Sequence, residues 1–480
     1  MTLDTQSPVE TTGLDALEQR LAQDLAWLEL PAQPWVPQKS VHGQPLLDAV
    51  IIGGGMAGLA VSVALTNIGV RAPIFDGAPE GYEGPWATTA RMETLRSPKQ
   101  LTGPAMGLPA LTFRAWYEAQ FGLQAWAELD KIPRLQWMDY LRWYRRVMRI
   151  DMHNEHQVVN ITPHADYVQL DVQTPQGSRS VYARRVVLAT GRAGLGGASV
   201  PDFIQGIARS RWAHSSDDTD YAALRGLRVG VVGAGASAMD SAGTALEHGA
   251  GRVDLLIRRP DLPRVNKSKG AGHAGYVQGF VDLPDHWKWR LRHYINVKQV
   301  PPPRASVLRV SRHDNAYFHF ASPILSVKDN GSTLTVTTPH KSFEFDFLVL
   351  STGFRIDWSR RPEYANIAAH LRVWSDRFEP DEGADDAELR DSPDLGTVFE
   401  FQEKTPGTMP GLSRVHCFCY PATLTHGTVS GDIPAISDGA QRLARGMASL
   451  LLNEDIDTHF DLLTAYADPE VFGDEWVPAG

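Results

Sequence analysis

Two glycine-rich turns, 180 residues apart, constrain this chain more than any other feature in it. The first is Ile51-Ile52-Gly53-Gly54-Gly55-Met56-Ala57-Gly58, closing the apolar run Ala49–Ile52. The second is Val231-Val232-Gly233-Ala234-Gly235-Ala236-Ser237-Ala238, closing Leu227–Val232. Each reads as a strand, a tight turn and an alanine-rich helix. That unit sets a helix N-terminus against a pyrophosphate, where free backbone N–H groups and the helix dipole stabilise negative charge. Two such units imply two dinucleotides held together, and hydride transfer is the natural reason to hold them so.

The residue ending the second strand of each unit sorts the two sites. Ile74-Phe75-Asp76 places a carboxylate 23 residues after Gly53, where it accepts hydrogen bonds from ribose hydroxyls and repels a 2′-phosphate. Val253–Ile257 ends instead in Arg258-Arg259, and two guanidinium groups there favour a 2′-phosphate. The alternative for this pair is a solvated surface charge cluster. The first site therefore suits FAD or NAD, and the second NADPH over NADH.

Around these units the chain divides into three parts. Leu14, Leu17, Leu21, Leu25 and Leu28 recur at helical spacing within residues 1–45, an N-terminal helical extension that packs on the body or at a subunit contact, leaving a homo-oligomer open. Residues 46–207 and 346–470 form the expected FAD domain. Residues 208–345 form an NADPH domain inserted into it, because Ala189-Thr190-Gly191 and Ser351-Thr352-Gly353 each close an apolar strand where the insertion would be left or entered. The fold class is α/β with two Rossmann-like domains. Strands are expected at 158–162, 167–174, 179–188, 333–338 and 343–350, helices across 109–151, and irregular chain over 260–312, which holds Pro301-Pro302-Pro303. Trp116, Trp126, Trp137 and Trp143 are spaced for aromatic packing.

Net charge is −10, which disfavours nucleic acid and anionic membrane surfaces as partners. No apolar run approaches the ~20 residues of a membrane span, no apolar leader core opens the chain, and the expected setting is cytoplasmic. The two cysteines, Cys417 and Cys419, make no CxxC and lie far from the first glycine turn, which argues against a dithiol reductase. No His/Cys spacing suggests a metal.

The order of glycine turn, Gly84-Pro85-Trp86, Thr190-Gly191, Gly233–Ala238 and Thr352-Gly353 resembles the class B flavin monooxygenases over about residues 46–450. These include flavin-containing, N-hydroxylating and Baeyer–Villiger enzymes. The resemblance implies FAD on Gly53, Gly55, Met56, Ala57, Gly58, Asp76, Gly84, Trp86, Thr190 and Gly191. It implies NADPH on His214, Ser215, Gly233, Gly235, Ala236, Ser237, Ala238, Arg258, Arg259, Thr352 and Gly353. The implied reaction reduces FAD with NADPH, forms a C4a-(hydro)peroxyflavin with O2 and oxygenates a small molecule. Thr94-Leu95-Arg96-Ser97-Pro98-Lys99 and Thr425-His426-Gly427 are similar to stretches of the N-hydroxylating enzymes, so oxygenation at nitrogen is the expected chemistry. Baeyer–Villiger or sulfur oxygenation, and a non-oxygenating NADPH oxidase or redox sensor, are the alternatives. The ornithine and lysine hydroxylases carry a substrate-binding lysine just before Thr-Leu-Arg. Ala90 falls near that position, which argues against a basic amino acid.

Arg96, Lys99 and His426 are the candidate catalytic groups. A cation at Arg96 or Lys99, in a loop the resemblance brings near the flavin, would stabilise a developing anion or hold an anionic substrate. Otherwise Arg96 pairs with a structural carboxylate. His426 precedes a flavin-facing helix, where a satisfied structural histidine is the alternative.

Overall fold

A computed structural model describes residues 13–479; residues 1–12 of the N-terminal extension lie outside the described residues. Helix Gly13–Trp27 buries Leu21 and packs on helix Phe113–Glu128, with Leu14, Leu17 and Leu25 against the main core. Leu28 falls past its end and is exposed.

The first glycine turn belongs to an eight-stranded sheet. Strand Gln44–Ile52 pairs in parallel with Ile74–Phe75 on one side and Gly177–Leu188 on the other. Gly177–Leu188 continues into an antiparallel meander with Val168–Thr174 and Gln157–Pro163, as the alternating sequence of those runs requires. Strand Val415–Cys417, far along the chain, pairs in parallel with Val186–Leu188 and completes this sheet. Helix Met56–Thr66 is buried at every position but Thr66, because sheet and C-terminal helix Ile436–Glu454 cover opposite faces. Trp116, Trp126, Trp137 and Trp143 are all buried, packed around Phe113 and Tyr140.

The second glycine turn belongs to a separate, all-parallel sheet of five strands. Its members include Trp212–His214, Arg228–Val232, Arg252–Leu256 and Phe347–Leu350. The run 343–350 is therefore two strands, not one. Ser342–Phe345 joins a three-stranded antiparallel sheet, and Phe347–Leu350 pairs with Arg228–Val232. Asp346 makes the break: its carboxylate accepts from the Arg228 backbone N–H (2.8 Å) and guanidinium (2.9 Å). The boundary drawn at 346 thus falls inside the second sheet, one strand before the chain crosses back.

Residues 260–312 are not irregular. They hold helices Ala274–Gly279, Asp285–Lys298 and Arg304–Ser311. Pro284 and Pro303 occupy the N-cap positions of the last two, so the prolines mark helix starts rather than loop. Among the described residues, no helix is long and apolar enough to cross a membrane.

Candidate functional site

At the first turn, three glycines do different things. Gly53 has φ +105°, and a Cβ there would lie 2.6 Å from the Ala189 carbonyl oxygen; a Cβ on Gly58 would lie 1.9 Å from the Gly53 oxygen. These two let strand, helix and Thr-Gly turn close on each other. Gly55, the N-cap of helix Met56–Thr66, has no capping side chain, and its absent Cβ faces only the Cα of Gly84, 3.8 Å away. The first-turn amides of Met56, Ala57 and Gly58 thus carry an uncapped dipole into an open cradle. Asp76 is fixed at the rim: its carboxylate accepts from the Gly54 N–H (2.6 Å) and the Ala78 N–H (2.7 Å). A cleft of about 340 Å³ lies alongside, lined by Gly54, Gly55, Glu83, Arg142, Arg145 and Met152. Gly84 takes φ +73°, and half-buried Trp86 is held through its carbonyl by Arg134. These residues fit a dinucleotide with a free ribose.

The second turn repeats the device. Gly233 has φ +136°, and its Cβ would lie 2.7 Å from the Ser351 oxygen. Gly235 caps helix Ala236–Glu247 without a side-chain bond, and nothing lies within 4 Å of its absent Cβ. Ala236, Ser237 and buried Ala238 supply the first turn. Arg258 is exposed and Arg259 half-exposed, and neither forms a salt bridge among the described residues; Arg259 donates only to the Val297 carbonyl (3.3 Å). Two unspent cations at the strand tip fit a 2′-phosphate. His214 and Ser215 have another task. His214 is buried, its Nδ1 2.7 Å from the Ser216 hydroxyl and its ring edge-on to Phe354. Burial pushes its pKa down. The Ser215 N–H donates to Leu350 (2.9 Å). Both residues lock the edge of the second sheet to the Ser351-Thr352-Gly353 turn.

The chain just beyond the first Thr-Gly turn meets the second. Gly191 and Gly353 both take positive φ, +77° and +83°. The Ser199 N–H donates to the Gly353 oxygen (2.8 Å), Thr352 donates its hydroxyl to the Ser199 carbonyl, and Gly196–Ala198 pairs antiparallel with Phe354–Ile356. The Thr190 hydroxyl is enclosed beside the Tyr364 hydroxyl. Between the turns lies a pocket whose wall includes Arg192, Arg292, Phe354, Glu388, Tyr420 and Leu424. The Arg192 guanidinium covers Tyr420 at 4.1 Å and reaches Phe354 at 5.8 Å. The concave wall raises the Glu388 pKa by desolvation, against the pull of Arg192 and Arg292. Sequence reasoning missed this pocket. Arg192 had a signal, since it directly follows Thr190-Gly191; Arg292 lay in the segment read as irregular, although Pro284, Asp285 and Lys298 mark its helix ends.

The three catalytic candidates do not converge on this pocket. Arg96 is half-exposed and lies 3.4 Å from the buried carboxylate of Asp240 on the second glycine-turn helix, so it ties one nucleotide domain to the other. Lys99 gives its ammonium to three carbonyls, Trp126 (2.7 Å), Ala127 (3.2 Å) and Leu129 (2.5 Å), which closes the C-terminus of helix Phe113–Glu128 and leaves no donor for a reacting anion. Lys99→Met is therefore expected to cost about 1–2 kcal/mol of stability and to leave turnover within about twofold; a thermal melt beside a steady-state assay checks both. His426 is fully buried, stacked on Phe399 at 3.6 Å, with Nε2 3.0 Å from the Gly396 carbonyl. Burial pushes its pKa down to about 3, so it stays neutral at physiological pH and does no acid–base work there. Cys417 and Cys419 are buried free thiols, Sγ to Sγ 3.4 Å, as befits a strand packed inside the core.

Comparison with known proteins adds the following. A family model described as L-lysine 6-monooxygenase/L-ornithine 5-monooxygenase matches residues 112–304. An FAD-dependent urate hydroxylase of Xanthomonas campestris pv. campestris is 38% identical over 466 residues, spanning 97% of this chain and 98% of that protein. Among solved structures, the ornithine N-hydroxylase of Kutzneria sp. 744 superposes with a TM-score of 0.65 at 19% identity, over 85% of this chain and 100% of that one. The ornithine hydroxylase of Pseudomonas aeruginosa gives 0.66 at 13%, with the same coverage. The bacillithiol disulfide reductase of Bacillus cereus gives 0.54 at 16%, over 84% and 99%. At these identities the structural likenesses establish a shared fold: two Rossmann-type domains, one inserted in the other.

Proposed function

This chain belongs to the FAD-dependent monooxygenases, and on that premise we propose that it uses NADPH and O2 to hydroxylate a small nitrogen-rich ring compound of the urate class. The observation that carries the reading is the pair of uncapped glycine-turn helices in one chain, the first with Asp76 fixed at its rim and the second with Arg258 and Arg259 at its strand tip, a site for each of two dinucleotides. Urate as the substrate class comes from the relative whose alignment runs nearly end to end with this chain.

FAD held here would supply the redox and oxygen-activating chemistry of a monooxygenation whose overall balance is RH + O2 + NADPH + H⁺ to ROH + H2O + NADP⁺. The protein's share is positioning and exclusion of water. The amides of Met56, Ala57 and Gly58 would hold the FAD pyrophosphate, and Asp76 the ribose. Arg258 and Arg259 select the 2′-phosphate of NADPH. Phe354 and Tyr420, with the Arg192 guanidinium over them, give the pocket an aromatic wall. A cytoplasmic setting, where thiols such as Cys417 and Cys419 stay reduced, suits this chemistry.

Hydroxylation of the side-chain amine of ornithine or lysine is the second reading, favoured by the family match over residues 112–304. Against it stands the pocket, whose wall carries Arg192 and Arg292 and would repel an ammonium group. The test is direct. The purified yellow protein is given NADPH and air with urate, L-ornithine or L-lysine, and both NADPH loss and products are followed. Urate is expected to stimulate NADPH consumption at least about tenfold and to gain one oxygen atom. A hydroxylamine product from ornithine or lysine without turnover of urate overturns the proposal. So does NADPH consumption that yields only hydrogen peroxide.

A further inference from the structure

Four arginines are buried among the described residues: Arg184, Arg185, Arg292 and Arg309. Three hold carboxylates. Arg184 pairs with Asp455 and Glu454, Arg185 with Glu454, and Arg309 with Glu247. Arg292 is 6% exposed and has no ion pair and no hydrogen bond among the described residues, and its Nε is enclosed without a partner. A guanidinium withdrawn from water is strongly unfavourable unless an anion completes it. No carboxylate reaches ion-pair distance of it among the described residues, although Glu388 of the same wall feels its charge, and the side chain lines the pocket beside Phe354 and Tyr420.

The rest of the wall defines what would complete it. Arg192 also lacks any hydrogen bond or ion pair among the described residues, and lies flat on Tyr420. Phe354 and Tyr420 give the pocket aromatic faces, and Glu388 stands at its mouth as an acceptor. Two free cations, aromatic faces and one carboxyl match a planar ring with an anionic edge and a ring N–H. We propose that this pocket is the substrate site, that Arg292 and Arg192 bind the anionic edge of a planar nitrogen heterocycle, and that Glu388 accepts its ring N–H. The proposal rests on the monooxygenase reading above and assigns specificity within it: planar anions are admitted and ammonium compounds excluded. With Arg192 over Tyr420 the pocket holds only about 30 Å³, so a ring enters by displacing that exposed side chain.

The holoenzyme tests this with two readouts, KM for urate and stabilisation of the protein by urate in thermal unfolding. Arg292→Met is expected to raise KM about 100-fold and to abolish the stabilisation, Arg292→Lys to restore part of both, and Arg192→Met to raise KM about tenfold. If Arg292→Met does not fold, Arg192→Met and Glu388→Gln, at solvent-accessible positions, carry the test with the same expected direction. Wild-type KM and stabilisation in these variants overturn the pocket assignment while the urate reading stands. If urate neither binds nor turns over in the wild type, xanthine, nicotinate and benzoate replace it. An anion that stabilises wild type but not Arg292→Met supports the pocket and overturns urate, and no response to any of them overturns both.

Discussion

Removing both cations beyond the second Rossmann strand, by Arg258→Ala with Arg259→Ala, is expected to raise KM for NADPH about 100-fold and to leave KM for NADH within about twofold. Neither guanidinium forms a salt bridge within the described residues, so no carboxylate competes for them, and Arg259 gives up only one long bond, to the Val297 carbonyl (3.3 Å). A hydrogen bond to a charged group contributes about 1.5–3 kcal/mol. Exposure of Arg258 and partial exposure of Arg259 put both near the low end, and two such contacts sum to about 3 kcal/mol, or about 100-fold. NADH carries a hydroxyl where NADPH carries the 2′-phosphate, and it loses little when the charges go. Stopped-flow reduction of the flavin by each nicotinamide, in wild type and variant, measures the effect. Equal losses for NADH and NADPH, or a wild type that takes both alike, would falsify the assignment of this site to NADPH.

What could be read from the sequence was what a backbone demands locally. Gly53 and Gly233 have positive φ and a carbonyl where a Cβ would go, so their pattern survives in any chain that makes this turn. Asp76 and Arg258-Arg259 sit at fixed offsets from those glycines because a strand and a helix of standard length intervene. The substrate pocket has no such offset. Arg192, Arg292, Phe354, Glu388 and Tyr420 span more than 200 residues and meet only because one domain is inserted in the other. Lys99 misled for a related reason: its loop position suggested catalysis, while its partners are carbonyls 27 to 30 residues on, at the end of a helix whose placement is tertiary. The run 343–350 shows the limit of hydrophobic pattern as a guide to sheets. It reads as one strand until Asp346 finds Arg228, a partner 118 residues away.

Asp455→Ala is expected to cost about 3 kcal/mol of stability, although the side chain lies far from both nucleotide sites. Asp455 follows the long C-terminal helix and accepts from Arg184 and Lys39; neighbouring Glu454 accepts from Arg184 (2.7 Å), Arg185 and Arg414 (3.0 Å). Arg184 lies in strand Gly177–Leu188 of the first sheet, so this network fixes the helix that covers the first glycine-turn helix. Truncating Asp455 leaves Arg184 buried with half of its partners, and the uncompensated charge dominates the loss. The effect carries a pH signature. Burial opposes ionisation of Asp455, but Lys39 and Arg184 outweigh it and hold the carboxyl below its usual range. Arg185, Arg184 and Arg414 do the same for Glu454. A carboxylate with a depressed folded pKa contributes stability that is complete above its unfolded pKa, about 3.9 for Asp, and is lost as pH falls through the folded value. The gap in melting temperature between wild type and Asp455→Ala should therefore be full at pH 7 and narrow below about pH 4. A gap that stayed constant to pH 3 would trace the loss to packing rather than to the ion pair, and the helix would then be held by its apolar face alone.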